Sequence, residues 1–267
     1  MTTPTTGFPY LDDPRRDGAV LALAHRGGAA LPGTHGLENT LFAFQAAVEL
    51  GYRYLETDVH ATRDGVLLAF HDDRLDRVTD TVGRVGELVH DEISPARVGG
   101  REPIPLLADL LEAFPTTRFN IDLKSPGAVD PLAALVQRMG AHERVCVGSF
   151  TERSLRRFRT LVGPRVATTR GVPATAVERF VPGGMRLGRV LRDPGAVYQV
   201  PVTHRGLAFL DEGFVHRAHA AGRHVHAWTI DEPEEMDRLL DLGVDGLITD
   251  RPDLLRDVLK SRGQWWG

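Results

Sequence analysis

The sequence predicts an α/β protein, a (β/α)8 TIM barrel with a small insertion after its second strand. Eight short β-rich runs recur along the chain, most of them separated by segments of helical period. Glycines stand where several of those helices should stop, as a left-handed residue at a helix C-terminus requires. The chain's 267 residues match the roughly 250 that one such barrel takes. Parallel strands need crossovers, so this repeated alternation favours a closed parallel barrel over the architectural alternative, a doubly wound open sheet.

The eight strands are read at 21–24, 52–59, 119–123, 145–150, 165–169, 197–201, 224–230 and 246–249. Helical period covers 40–50, 106–114, 131–139, 151–161, 211–221, 233–242 and 252–260, with Gly51, Gly140, Gly163, Gly222 and Gly243 as the stops. One segment breaks the rhythm. After Val59 the chain runs through Asp64-Gly65, the strongest short hairpin signal, into a second β-like run ending at His71. The stretch from about 61 to 105 therefore reads as an insertion subdomain on the face that carries the chemistry, within a single barrel domain spanning 1–267. Residues 171–194 are rich in Gly, Pro and Arg and read as a long loop with some helix.

Composition narrows the class. The single cysteine, Cys146, cannot form an internal disulfide, so no oxidising compartment is required. A net charge of -4 argues against nucleic acid as the partner. No run of about 18 apolar residues exists to cross a membrane, and residues 1–20 lack the apolar core of a signal peptide. A cytoplasmic protein without stable membrane association is expected. Of 32 basic residues only Lys124 and Lys260 are lysines. Against a bias toward arginine, a retained lysine marks a place where a compact ammonium is wanted.

The strand ends carry the chemistry, as barrel geometry demands. The first ends His25-Arg26-Gly27-Gly28, the second carries Glu56 and Asp58, and the third carries Asn120, Asp122 and Lys124. The seventh carries His224, His226 and Trp228. On the second, third and seventh strands, spacing by two puts the named residues on one face. Three carboxylates at strand ends are costly to bury without a cation or a cationic partner. Oxygen ligands of this kind suit Mg²⁺ or Ca²⁺, while a plain salt-bridge cluster with Arg26 and Lys124 is the alternative. If Asp64-Gly65 is a two-residue loop, Asp58 lies opposite His71, which returns a second histidine to the acids. Two histidines suit a general acid and a general base. Metal, Lys and Arg suit charge neutralisation on a phosphoryl group. The set describes metal-assisted cleavage of a phosphodiester.

The run His25-Arg26-Gly27, Glu38-Asn39-Thr40, Glu56-Thr-Asp58-Val, Thr62-x-Asp64-Gly65 and His71-Asp72 closely resembles the glycerophosphodiester phosphodiesterases. Asp122-x-Lys124, Ser149-Phe150, Trp228-Thr229 and Asp245-Gly246 through Asp250-Arg-Pro252 follow in the same order. The resemblance spans about 21 to 252. It implies His25 and His71 as the catalytic pair, and Glu56, Asp58 and Asp122 as ligands of one Mg²⁺ or Ca²⁺. It also implies Arg26 and Lys124 on the phosphate, with a substrate hydroxyl as first nucleophile and a cyclic intermediate. The third acid is most often Glu in that family. Asp122 is one methylene shorter, which leaves the metal's identity open. The loop from Gly28 to Leu37 is longer than usual and carries His35.

Other assignments follow from residue type. Glu38 either assists the metal, orients Arg26 or favours the start of the helix after Thr40, and Asn39 is an N-cap by type; both are expected to stand behind the site residues and support them. Trp228 either stacks on the glycerol moiety or fills the barrel. His224 and His226 are expected to pack, His204 and Arg205 to lie near a leaving group, and His60, His90, His142, His216 and His219 to be surface residues. Trp265-Trp266 are expected to pack on the barrel bottom. The expected reaction releases glycerol 3-phosphate and an alcohol from a small-molecule glycerophosphodiester. A lysophospholipase D-type activity, with Val181, Met185, Leu187 and Val190 offering an acyl channel, is the first alternative. A non-catalytic phosphate-binding barrel and a Schiff-base aldolase using Lys124 are the others.

Overall fold

A computed structural model of the protein describes residues 4–181, 193–204 and 207–267. Its frame is eight parallel strands: β1 (Leu21–Ala24), β2 (Tyr54–Ala61), β3 (Arg118–Leu123), β4 (Val145–Gly148), β5 (Ala167–Thr168), β6 (Val197–Pro201), β7 (His224–Trp228) and β8 (Gly246–Thr249). Each pairs with its sequence neighbour from β1 to β5, β6 to β8 do likewise, and β8 returns to β1. The two ends of this path meet at a parallel bridge between Thr169 and Val197. Bonds from Ala196 N–H to the Thr168 carbonyl (2.9 Å) and from Arg170 N–H to the Val197 carbonyl (2.8 Å) complete the barrel.

Alternation by two separates the two faces of each strand. Leu55, Val59, Phe119, Ile121, Val145 and Val147 face the surrounding helices and join the main apolar core. Leu21, Leu23, Tyr54, Cys146, Val197 and Ile248 form a second cluster inside the barrel. The β2–β3 register sets Glu56 beside Asn120 and Asp58 beside Asp122. Polar inward residues thus gather toward the C-terminal end while the apolar ones fill the bottom.

Helices α2 (Leu41–Glu49), α3 (Leu107–Ala113), α4 (Val129–Arg138) and α5 (Glu152–Val162) follow the first four strands, directly or after an insertion. Two further helices have no bounds in the sequence reading. One is α1 (Pro9–Arg16), whose Tyr10 and Leu11 insert into the cluster inside the barrel and stopper its bottom. It is fastened by the Tyr54 hydroxyl, which donates to the Tyr10 carbonyl at 2.5 Å. Arg118 also pairs with Asp13 at 2.5 Å. The other is α6 (Val172–Phe180), which gives bounds to the helix expected somewhere within the loop region 171–194. Helices α7 (Glu212–Ala220), α8 (Pro233–Asp241) and α9 (Pro252–Ser261) complete the shell.

The insertion after β2 is present. Leu67–Ala69 returns antiparallel on β2, and a short helix (His90–Ile93) and a small ribbon (Arg97–Val98 with Glu102–Pro103) follow. A separate apolar cluster of Leu68, Phe70, Leu75, Val85 and Ile93 holds it together. The hairpin register differs by one from the sequence count. Thr62 N–H bonds to the Val66 carbonyl at 3.0 Å, so three residues, Arg63, Asp64 and Gly65, make the turn. Gly65 takes the left-handed conformation (φ 84°) that such a three-residue loop requires. Asp58 therefore faces Phe70, whose N–H it binds at 2.9 Å, and His71 is the next residue.

At the C-terminus Trp265 packs edge-on against Tyr52, with centroids 5.1 Å apart. Trp266 lies beside Tyr54 and under the guanidinium groups of Arg53 and Arg118. Among the described residues no helix is long and apolar enough to cross a membrane.

Candidate active site

The pocket opens at the C-terminal end of the barrel and is lined by His25, Arg26, Glu56, Asp58, His71, Asp122, Lys124 and Trp228. Asn120, Ser149, Phe150, Arg170 and Gln199 also line it. The structure thus brings together every residue assigned from sequence to catalysis, metal or phosphate. At about 240 Å³ the pocket is below the roughly 300–1,000 Å³ of sites that engulf drug-sized ligands.

His25 opens the turn that ends β1. The turn is sharp: Arg26 adopts φ 51°, a left-handed conformation that costs a non-glycine residue about a kilocalorie per mole or more. The surroundings hold it there. Arg26 N–H bonds to Glu56 Oε2 at 3.1 Å, and its carbonyl accepts from Asn39 N–H at 2.9 Å. Its side chain pairs with Glu38 at 2.9 Å and with Asp58 at 3.2 Å. The next two positions must be glycine. A Cβ on Gly27 would come within 2.9 Å of the Ala43 backbone, and one on Gly28 within 2.6 Å of Pro252.

Of the two roles expected of Asn39, the structure keeps the one beside the acids and gives the helix cap to its neighbour. The helix cap is Thr40, whose hydroxyl accepts from Ala43 N–H. Asn39 instead has φ 59° and points inward. Its side-chain N–H donates to Asp58 Oδ2 at 3.1 Å, and its oxygen accepts from the Thr57 hydroxyl at 2.8 Å. Glu38 orients Arg26 and does not serve the helix start.

Each pocket histidine is anchored through Nδ1 by a carboxylate. His25 Nδ1 lies 2.7 Å from Asp250. His71 Nδ1 lies 2.6 Å from Asp72. This fixes the ring and leaves Nε2 for the pocket. Burial works to lower the pKa of His25, but Glu56 and Asp250 outweigh it and raise the group above its ordinary value. Asp72 is held at about 2, chiefly by its hydrogen bond from Arg77.

The acids surround Lys124, whose ammonium sits 3.0 Å from Asp58 and 2.7 Å from Asp122. Burial works against Asp58 ionising, yet Lys124 and Arg26 hold its pKa below the ordinary value. Burial raises the pKa of Asp122, with only partial compensation from Lys124. Burial and the neighbouring Asp58 push Glu56 up to about 8. Three carboxylates here face a single ammonium and a guanidinium already shared with Glu38, and carboxylate oxygens are the donor type that Mg²⁺ and Ca²⁺ prefer. As the side chains stand, no three His, Cys, Asp or Glu groups among the described residues are close enough to hold a metal. Lys124 fills the space between two of the acids.

A profile of the Glycerophosphoryl diester phosphodiesterase family matches residues 25–254. The chain belongs to that family. It is 45% identical over 257 residues to the "Probable glycerophosphodiester phosphodiesterase 2" of Mycobacterium tuberculosis, covering 94% of this chain and 95% of that protein. It is 28% identical over 291 residues to human Lysophospholipase D GDPD1, covering 95% and 91%. In fold it matches an Oleispira antarctica phosphodiesterase solved with the product sn-glycerol-3-phosphate, with a TM-score of 0.75 at 23% identity, covering 92% and 98%. The family match and the 45%-identical relative make the chain an enzyme of the glycerophosphodiester phosphodiesterase family, and the phosphate-binding and aldolase readings fall away.

Several site residues were missed or misplaced from sequence. Asp72 and Asp250 stand in the sequence only as parts of longer motifs, although each follows directly on a chemistry-bearing element and anchors a histidine. His60 is not a surface residue. It is buried, and its Nε2 lies 3.0 Å from the His71 carbonyl, holding the chain where it leaves the hairpin. His219 is also largely buried, paired with Asp245 at 2.8 Å. His224 and His226 are buried inside the barrel, as expected. The side chains of His204 and Arg205, and residues 185, 187 and 190 of the suggested acyl channel, lie outside what the structure describes.

Proposed function

We propose that this enzyme hydrolyses small glycerophosphodiesters to glycerol 3-phosphate and an alcohol, with His25 and His71 as the general acid and base. The observation that carries the reading is the pair of imidazoles, each fixed by a carboxylate on Nδ1 and both facing one pocket. One Nε2 removes the proton from the attacking substrate hydroxyl while the other donates to the departing alkoxide, and water then opens the resulting cyclic phosphate with the two roles reversed. Arg26 and Lys124 bind the phosphoryl oxygens, and Trp228 walls the glycerol side. Glu56, Asp58 and Asp122 would hold one Mg²⁺ or Ca²⁺, which neutralises charge on the phosphoryl group when bound.

The pocket size favours a headgroup over a buried lipid. The lysophospholipase D alternative draws on one observation. Phe150, 64% exposed, stands edge-on to Trp228 with centroids 6.3 Å apart, and this apolar rim could carry an acyl chain outside the pocket. Product analysis with glycerophosphocholine and with lysophosphatidylcholine, each with and without EDTA, separates the readings. We expect glycerol 3-phosphate from the first substrate and loss of turnover on chelation. Turnover that survives chelation would remove the metal.

A further inference from the structure

We propose that Arg77, outside the pocket, is a positioning residue that sets His71 and Arg26 relative to each other. The inference rests on the roles given to those two residues above. Arg77 lies in the insertion, in a segment fastened by buried Leu75 and by the bond from Leu75 N–H to the Gly83 carbonyl. Its guanidinium forks between two carboxylates. Nε and Nη2 reach Asp72 at 2.5 and 3.1 Å. Nη1 and Nη2 reach Glu38 at 2.9 and 2.6 Å.

Each carboxylate in turn holds one pocket cation or imidazole. Asp72 takes His71 Nδ1 at 2.6 Å, and Glu38 takes Arg26 Nη1 at 2.9 Å. The result is a continuous relay, His71–Asp72–Arg77–Glu38–Arg26, running around the pocket's rim from the insertion to the turn after β1. A planar fork fixes both partners in angle as well as distance, which a lysine's point charge cannot do. Removing the guanidinium would leave two facing carboxylates to repel, with His71 and Arg26 each losing a fixed neighbour. The fold does not depend on Arg77: its side chain is 48% exposed, and exposed ion pairs contribute little to stability.

The test is steady-state hydrolysis of glycerophosphocholine by Arg77→Gln, Arg77→Lys, Asp72→Asn and Glu38→Gln, with the Asp72/Arg77 and Glu38/Arg77 double variants and melting curves for all. Arg77→Gln should lose about tenfold or more in kcat/KM with a melting temperature close to wild type, and Arg77→Lys should fall between the two. The double-variant losses should be smaller than the product of the singles. The Asp72 coupling should appear in kcat and the Glu38 coupling in KM. Wild-type kinetics in Arg77→Gln, fully multiplicative double variants, or an Arg77→Gln protein that no longer folds would each overturn the assignment. A wild type inert on glycerophosphodiesters, or an active His71→Ala, would instead sink the functional reading on which it rests.

Discussion

The buried acid at the centre of the pocket makes a quantitative prediction. Without a bound cation, Glu56 has its pKa raised from the ordinary 4.5 to about 8. An unfolded chain releases that proton near 4.5, while the folded chain keeps it until about 8. The folded protein therefore binds more protons in this window, and stability falls as pH rises through it. Each unit corresponds to about 1.4 kcal/mol, so by pH 7 the cation-free protein has lost about 3 kcal/mol relative to pH 4.5. Glu56→Gln removes the titration while keeping an oxygen for the Arg26 N–H. In EDTA the variant and wild type should melt alike near pH 5 and diverge with rising pH. At pH 7 the variant should melt higher by roughly 6–12 °C, taking about 2–4 °C per kcal/mol for a protein of this size. Melting curves from pH 5 to 9 provide the assay. Parallel pH profiles for the two proteins would refute the reasoning, because burial against Asp58 would then cost nothing.

Other consequences are simpler to read. His25→Ala and His71→Ala should each lower kcat by about 10²–10⁴ with substrate binding largely kept, as measured by initial rates and isothermal titration. Gly28→Ala should destabilise the fold by about 1–3 kcal/mol and lower activity, because its Cβ would meet Pro252 at 2.6 Å next to His25-Arg26. Deleting residues 262–267 strips Trp265 and Trp266 from the barrel bottom and should lower the melting temperature by several degrees. A truncated protein that melts like the full chain would show that those rings contribute no packing.

The eight strands were legible because inward and outward residues alternate by two and because their ends are polar. That same spacing put Glu56 with Asp58 and Asp122 with Lys124 on one face, and the Asp64-Gly65 hairpin signal brought His71 near them. What escaped depended on geometry that pattern alone does not carry. The hairpin register shifted by one because Thr62 serves the turn through its own hydroxyl, which accepts from Val66 N–H at 2.9 Å. Asn39 looks like a helix cap by residue type as well as a support for the acids, and only the fold shows that the cap is Thr40 and that Asn39 turns toward Asp58. Helix α1 was hidden by its short apolar stretch and by Pro14 within it. Arg77 gave no signal, because one arginine among many acquires meaning only through the two carboxylates that meet on it.

Strand β5 is two residues long, so the wall between β5 and β6 has fewer rungs than any stave beside it. Charge takes over where rungs are missing: buried Arg170, just past β5, clasps Glu178 on α6 and the Asp193 carbonyl, and Glu178 also accepts from the Tyr198 hydroxyl on β6. Amide protons along this seam should exchange with solvent sooner than those of β2 and β3. Since Thr169 and Arg170 also line the pocket, a bound phosphodiester should slow that exchange. The joint of the barrel would then serve as a built-in reporter of occupancy.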